Sequence, residues 1–233
     1  IDQLTVDLNL DQALEMLDYE ACRREQEAAR DEGRLLGIGV SLVTEPTAMA
    51  FGWMSTDAAH VRINGSGRVD VVTTVANHGQ SYETTMAQVV ADELGVDVSD
   101  VRVIQPDTDN SPVGPGTGGS RSLIPMTAAR MACEELRERI QAIVAHNLEA
   151  SPDDLELVDG RVQVVGTPDK GMTLKEVAQK AYSEPYAMPP GIPLGLEAEA
   201  RFTPPSMATW ANACHVCTVN VDQITGVVEL LRY

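Results

Sequence analysis

The chain has 233 residues, of which 43% are hydrophobic and 22% charged, a mixture typical of a globular protein long enough to bury a core. Its 35 acidic residues against 17 Lys and Arg give a formal net charge of −18, which disfavours nucleic acid and anionic lipid as partners. Its longest strongly apolar stretch, residues 35–43, is less than half of what spans a bilayer, and four scattered cysteines are typical of free thiols in a reducing compartment. We therefore expect a soluble cytoplasmic protein that does not insert into a membrane.

The predicted elements alternate between helices and strands along the chain, which indicates an α+β fold with mixed sheets and packed helices. Helices are predicted at residues 11–32, 82–94, 126–149 and 173–181. Strands are predicted at residues 35–43, 60–64, 68–75 and 101–105, as a short pair around Asp159-Gly160, and as a final hairpin over residues 208–233. Six prolines between residues 182 and 205 favour an extended covering segment there.

The domain organisation predicted from this order has two subdomains, residues 1–150 and residues 151–233. The chain begins at Ile1 rather than Met and stops in a strand without a polar tail. Natural termini usually lie in loosely held segments, so we expect a piece of a longer polypeptide.

Two glycine-containing loops, both placed before a predicted helix, are the candidate binding elements. The first loop (residues 76–81) contains His78-Gly79-Gln80-Ser81, and the second loop (residues 116–122) reads Gly-Thr-Gly-Gly-Ser-Arg-Ser. A helix N-terminus presents unpaired N–H groups, and glycine lets a phosphate approach the backbone. The alternative interpretation is that each loop is a structural turn. The predicted cofactor-binding residues are Gly79, Gln80, Ser81, Thr117, Gly118, Gly119, Ser120, Arg121 and Ser122.

Other motifs carry less weight. Gly114, Gly116 and Gly119 have the spacing of a dinucleotide fingerprint, but no strand precedes them directly and no acidic residue follows at the required distance. Cys214 and Cys217 lie in a predicted strand, which sends them to opposite faces and favours structural thiols over a metal or redox site. His78 stands beside Gly79-Gln80 and could orient a cofactor, although a packing or surface role is the more ordinary one.

Taken in order, these residues resemble the molybdopterin-binding region of molybdenum hydroxylase large subunits, the xanthine dehydrogenase, aldehyde oxidase and carbon monoxide dehydrogenase family. The resemblance is carried by Gly79-Gln80-Ser81-Tyr82-Glu83-Thr84, Asp92-Glu93-Leu94-Gly95, Val101-Arg102-Val103, Asp107-Thr108-Asp109 and the whole second loop. It extends upstream to Arg34 through Gly39 with Glu45-Pro46, and downstream to Val219 through Asp222 with Thr225-Gly226.

This resemblance implies an oxidoreductase that hydroxylates an aldehyde or N-heterocycle, or oxidises carbon monoxide, with water as the oxygen source. It implies a molybdenum-pterin dinucleotide, usually molybdopterin cytosine dinucleotide in bacteria, and electron transfer to iron–sulfur clusters and FAD on partner subunits or domains. By the same resemblance Gln80 lies near the molybdenum-side pterin, Gly119 and Ser120 contact the cofactor, and the full complex is a dimer.

The sequence departs from the family pattern in two places. Ser81 replaces a common glycine, which requires a negative φ or a useful hydroxyl. The family's catalytic glutamate follows a glycine, and no Gly-Glu pair occurs in these 233 residues. We therefore predict no catalytic residue and no metal ligand in the chain, and an inactive fragment when it is isolated from the remainder of the large subunit. The alternative prediction is a non-catalytic interaction module without metal.

Overall fold

The structure, a computed structural model, describes residues 5–49, 52, 55–114, 123–205 and 208–233. The chain divides into two compact units, one formed by residues 1–47 and 208–233 and the other by residues 48–207. Within the described residues, no helix is both long enough and apolar enough to span a bilayer. The predicted α+β class is confirmed, since helices and mixed sheets occur together.

The described elements follow the predicted alternation. The helices are α1 (Val6–Leu17), α2 (Tyr19–Asp31), α3 (Tyr82–Leu94), α4 (Leu123–Leu148) and α5 (Leu174–Ser183). The strands are β1 (Leu35–Met49), β2 (Asp57–Ile63), β3 (Val69–Thr73), β4 (Val101–Ile104), β5 (Leu155–Val158), β6 (Arg161–Val164), β7 (Thr167–Thr173), β8 (Glu197–Phe202), β9 (Ala208–Val221) and β10 (Val228–Arg232).

The larger unit is built on a four-stranded sheet in the order β4-β3-β2-β8. Strands β2 and β3 form the predicted antiparallel hairpin, while β3 and β4 run parallel and are joined through α3. Alternate side chains such as Val61 and Val71 are fully buried, together with Met86 of α3 and Leu136 and Ile140 of α4. Helices α3 and α4 therefore cover one face of the sheet, the face to which alternate side chains of each strand point.

A second sheet belongs to the same core. Strands β5, β6 and β7 form an antiparallel meander, and Thr173 is the N-cap of α5 in the predicted capping box with Glu176. Leu155, Val162 and Val177 from this region join the hydrophobic cluster that contains Val61 and Leu136. This hydrophobic cluster therefore includes residues on both sides of position 150, where the sequence analysis places a subdomain boundary.

The smaller unit contains the sheet β1-β9-β10. Helix α1 packs against β9, and Gln26 of α2 donates from Nε2 to the Leu36 carbonyl of β1 at 2.7 Å. Gly37 of β1 lies against Val219, where a Cβ atom would stand 2.7 Å from the valine methyl. Strand β10 pairs antiparallel with β9 after a turn held by Asp222, so the predicted final hairpin is confirmed.

Two sequence predictions need correction. The helix predicted at residues 11–32 starts at Val6 and is interrupted at Asp18, whose φ of 54° ends α1 and whose carboxylate accepts from Ala21 N–H to begin α2. The covering segment predicted for residues 182–205 contains β8, which pairs with β2. Its alternation of Ala198, Ala200 and Phe202 with charged residues is a strand pattern that the surrounding prolines obscure.

Candidate cofactor site

The candidate site lies at the edge where two parallel strands end. Strand β3 leads into the first loop and then α3, and β4 leads into residues 105–114 on the way to the second loop. Ligands bind preferentially at the carboxyl ends of parallel strands, because helix N-termini and loops converge there. The topology therefore brings the first loop and the segment after β4 to one edge of the sheet.

The first loop contains two residues with positive φ, Gly79 and Ser81. Gly79 has φ 107°, and nothing lies within 4 Å of the position where a Cβ atom would stand. Ser81, the residue before α3, has φ 62° and makes no side-chain capping bond. Of the two conditions given for Ser81, the negative φ is therefore not met, and its hydroxyl does not cap the helix.

The side chain of Gln80 closes onto its own loop. Its Oε1 accepts from the His78 N–H at 2.6 Å, and its Nε2 donates to the Ala76 carbonyl at 3.1 Å. Nε2 also lies 3.3 Å from His78 Nδ1. Gln80 thus fixes the conformation of the first loop, and the His78 ring lies against the Gln80 amide.

One residue outside the predicted set ties this loop to β4. Gln105 follows β4 directly, and its Oε1 accepts from the Asn77 N–H at 2.8 Å. Its Nε2 donates to Glu83 Oε1, in the first turn of α3, at 2.8 Å. Sequence reasoning missed Gln105, although a polar residue at the end of the predicted strand at residues 101–105 was a usable signal.

A cleft of about 330 Å³ adjoins the segment that follows β4. It is lined by Thr74, Pro106, Asp107, Thr108, Ser111, Pro112, Val113 and Gly114. A Cβ atom at Gly114 would lie 2.5 Å from the Thr74 Cβ, so only glycine allows this approach. Thr74 donates to the buried Asp57 at 2.9 Å, which fixes the floor of the cleft.

The predicted residues of the second loop, Thr117, Gly118, Gly119, Ser120, Arg121 and Ser122, lie outside the described residues. The structure places the other three, Gly79, Gln80 and Ser81, side by side before α3. Elsewhere, Cys214 and Cys217 are free thiols in β9. In the described part of the chain, no three His, Cys, Asp or Glu side chains are grouped so as to hold a metal ion.

Comparison with known proteins identifies the family. Residues 12–233 match the family model of the molybdopterin cofactor-binding domain. The chain belongs to this family. The family match disfavours the alternative of an interaction module without metal and confirms the resemblance drawn from the two loops.

Individual members of the molybdopterin cofactor-binding family are similar over nearly the whole chain. The carbon monoxide dehydrogenase large chain of Afipia carboxidovorans is 35% identical, covering 97% of this chain and 29% of that protein. The nicotine 6-hydroxylase large subunit of Paenarthrobacter nicotinovorans is 31% identical, covering 95% and 28%. Quinoline 2-oxidoreductase from Pseudomonas putida 86 has a TM-score of 0.77 at 36% identity, covering 97% and 30%. The chain therefore spans less than a third of the length of these relatives.

The residues described at the sheet edge fit a molybdenum-pterin cofactor. Gly79 leaves open space beside the backbone, and α3 presents its N-terminal amides next to it. The cleft offers hydroxyl groups from Thr108 and Ser111 together with carboxylate and backbone acceptors. Such a mixture of donors and acceptors suits a ligand that combines a polar heterocycle with an anionic tail.

Proposed function

We propose that the chain supplies part of the cofactor cradle of a molybdenum hydroxylase large subunit, an oxidoreductase. The observation that carries this proposal is the uncapped start of α3, preceded by Gly79 and Ser81 with positive φ, in a chain of the molybdopterin cofactor-binding family. When bound, the cofactor would supply the redox chemistry that hydroxylates an aldehyde or N-heterocycle, or oxidises carbon monoxide, with oxygen from water.

Each residue of the first loop has a distinct role in this proposal. Gly79 exposes backbone that a pterin or phosphate oxygen can approach, because no side chain stands in the way. Gln80 holds the loop closed through Ala76 and His78, and so fixes the backbone beside Gly79 in the shape that the cofactor would meet. The amides at the start of α3 attract negative charge through the helix dipole.

The second loop completes the cradle in this proposal. Thr117, Ser120 and Ser122 offer hydroxyl donors, Gly118 and Gly119 leave the backbone accessible, and Arg121 adds a cation. These roles are carried over from the family pattern of the loop. They predict contacts to the cofactor rather than to the substrate.

The larger assembly is proposed from the family resemblance of the sequence. We infer a cytoplasmic enzyme in which this chain is one part of a large subunit and electrons pass to iron–sulfur and flavin partners. We propose the cytosine dinucleotide form of the cofactor, a dimeric complex, and a catalytic glutamate on another part of the polypeptide. The chain covers 29% of its carbon monoxide dehydrogenase relative, which leaves room for these elements.

The test compares cofactor content in the complete large subunit. Gln80→Ala and Ser120→Ala should each lower bound molybdenum and released nucleotide roughly threefold to tenfold, since each lost hydrogen bond contributes about 1 kcal/mol. Gln88→Ala, on the exposed side of α3, is the matched control and should retain full occupancy. Metal analysis of the wild-type subunit that finds no molybdenum would overturn the proposed function, whereas full occupancy in both loop variants would overturn the site.

A further inference from the structure

We propose that Gln105 is a positioning residue that sets the shape of the first loop for cofactor binding. The inference rests on the proposed function, since it concerns the same loop. Gln105 is not among the residues that carry the family resemblance. Its proposed role rests on its contacts in the structure. Its amide group joins two separate elements, the loop backbone at Asn77 and the first turn of α3 at Glu83.

The bond to Asn77 acts from outside the loop. Inside it, Gln80 bonds to Ala76 and His78, and Asn77 Oδ1 accepts from Gly79 N–H at 3.3 Å. These contacts fix the loop relative to itself. Gln105, 28 positions along the chain, fixes it relative to β4, the strand whose continuation forms the neighbouring cleft.

The bond to Glu83 affects the start of α3. A carboxylate in the first turn is attracted to the unpaired N–H groups of the helix. Glu83 Oε1 instead accepts from Gln105 Nε2, and Ser81 makes no side-chain capping bond. The arrangement draws the Glu83 carboxylate toward β4 and keeps the N-terminal amides of α3 accessible to an anionic ligand.

A glutamine is the side chain that meets both demands at once. The Asn77 N–H requires an acceptor, and the Glu83 carboxylate requires a donor, and an amide supplies one of each. A carboxylate at position 105 would still accept from Asn77 but would oppose Glu83. Leucine would meet neither demand and would leave both partners without this bond.

The experiment uses this complementarity in the complete large subunit. Gln105→Leu and Gln105→Glu should each lower retained molybdenum after dialysis roughly threefold to tenfold, as expected for the loss of one or two hydrogen bonds. The double variant Gln105→Glu with Glu83→Gln restores a donor opposite an acceptor and should recover most of the lost cofactor. In cofactor-free protein, amide hydrogen exchange at residues 76–81 should accelerate about fivefold in the single variants and return in the double variant.

A matched control exists in the β5-β6 hairpin. Gln163 Nε2 donates to Glu156 Oε1 at 2.9 Å, the same kind of exposed pair on another part of the unit. Gln163→Glu should leave both cofactor retention and exchange at residues 76–81 unchanged.

The outcomes separate the two proposals. Wild-type protein without molybdenum would overturn the proposed function, while the exchange measurement would still test the role of Gln105. Wild-type protein with molybdenum, and single variants that retain it fully, would overturn the role of Gln105 alone. Loss without rescue in the double variant would show that the donor–acceptor pairing is not the cause, which also overturns it. If Gln105→Leu fails to fold, the comparison of Gln105→Glu with the double variant Gln105→Glu and Glu83→Gln tests the same proposal.

Discussion

Asp70 is the residue that links three strands beneath the candidate site. Its carboxylate, with a side chain only 5% exposed, accepts from Arg62 Nη2 on β2 and from Arg102 Nε on β4, both at 2.8 Å. Burial by itself raises the pKa of Asp70, but the hydrogen bonds and charges of Arg62 and Arg102 outweigh it and hold the pKa below its usual value. Strand β3 leads into the first loop, so this carboxylate steadies the strand on which the loop depends.

Replacement of Asp70 by Asn should lower the free energy of unfolding by about 2 kcal/mol at pH 7, because two charged hydrogen bonds are weakened. A carboxyl whose folded pKa is depressed stabilises the protein above its unfolded pKa, and this stabilisation is lost as pH falls through the folded pKa. The gap between wild type and variant should therefore shrink below about pH 4. Urea unfolding at pH 7 and pH 3 measures it, with the exposed Asp153→Asn as control. Equal stability of wild type and the Asp70 variant at pH 7 would contradict this role.

At the scale of elements, the end of α3 meets the β5-β6 hairpin through glycine. Gly95 has φ 56°, and a Cβ atom there would lie 2.6 Å from the Leu157 carbonyl oxygen. The Gly160 N–H donates to the Gly95 carbonyl at 2.6 Å. The helix that starts at the candidate site is thus anchored at its other end by backbone contact with the second sheet.

Gly95→Ala should therefore lower the free energy of unfolding by more than the strain of a left-handed alanine backbone alone. We expect a loss of about 3 kcal/mol, of which about 1 kcal/mol is backbone strain and the rest is the displaced hairpin. Gly160→Ala is the matched control, because its φ is 68° and nothing lies within 4 Å of its Cβ position, so it should lose only about 1 kcal/mol. Thermal unfolding of both variants decides the point. Equal losses would show that the contact with Leu157 relaxes without cost.

Elements set by neighbouring residues were predictable from the sequence. Helix α3 runs from Tyr82 to Leu94 as predicted, because its apolar stripe and the terminal Gly95 are local signals. The capping box from Thr173 to Glu176 is likewise contained within four residues. The break at Asp18 was missed because a left-handed aspartate within a continuous apolar pattern leaves little trace in sequence.

The candidate site was predictable in part for the same reason. Gly79, Gln80 and Ser81 adjoin a helix start that the sequence reveals. The contribution of Gln105 depends on parallel pairing of β3 with β4, which brings it to Asn77 across 28 positions. The positive φ of Ser81 could not be predicted, because a serine by itself favours a negative φ. The observed value depends on how the loop joins α3.

At the scale of the whole molecule, the main hydrophobic cluster of the described residues lies within the larger unit. Its described buried members run from Ala59 on β2 to Ala198 on β8. The smaller unit instead joins the two ends of the sequence, for example through Thr47 Oγ1 and Thr209 Oγ1 at 2.7 Å. This contact joins residues more than 160 positions apart, which the order of elements along the chain does not reveal, and the predicted boundary at residue 150 stays a prediction.

Two polypeptides of different extent test which division reflects folding. Residues 48–207 keep the whole of this main hydrophobic cluster, so they should fold alone and unfold in one cooperative thermal transition with protected amides in α4. Residues 1–150 keep α4 but lose Leu174, Val177 and Leu196, which are buried in the same cluster. That polypeptide should expose apolar surface, bind a hydrophobic dye and melt without a sharp transition. Circular dichroism and hydrogen exchange on both compare them directly. Cooperative unfolding requires a continuous packed core, whatever the order of its residues along the chain. A cooperative transition in residues 1–150, together with its absence in residues 48–207, would therefore favour the boundary at residue 150.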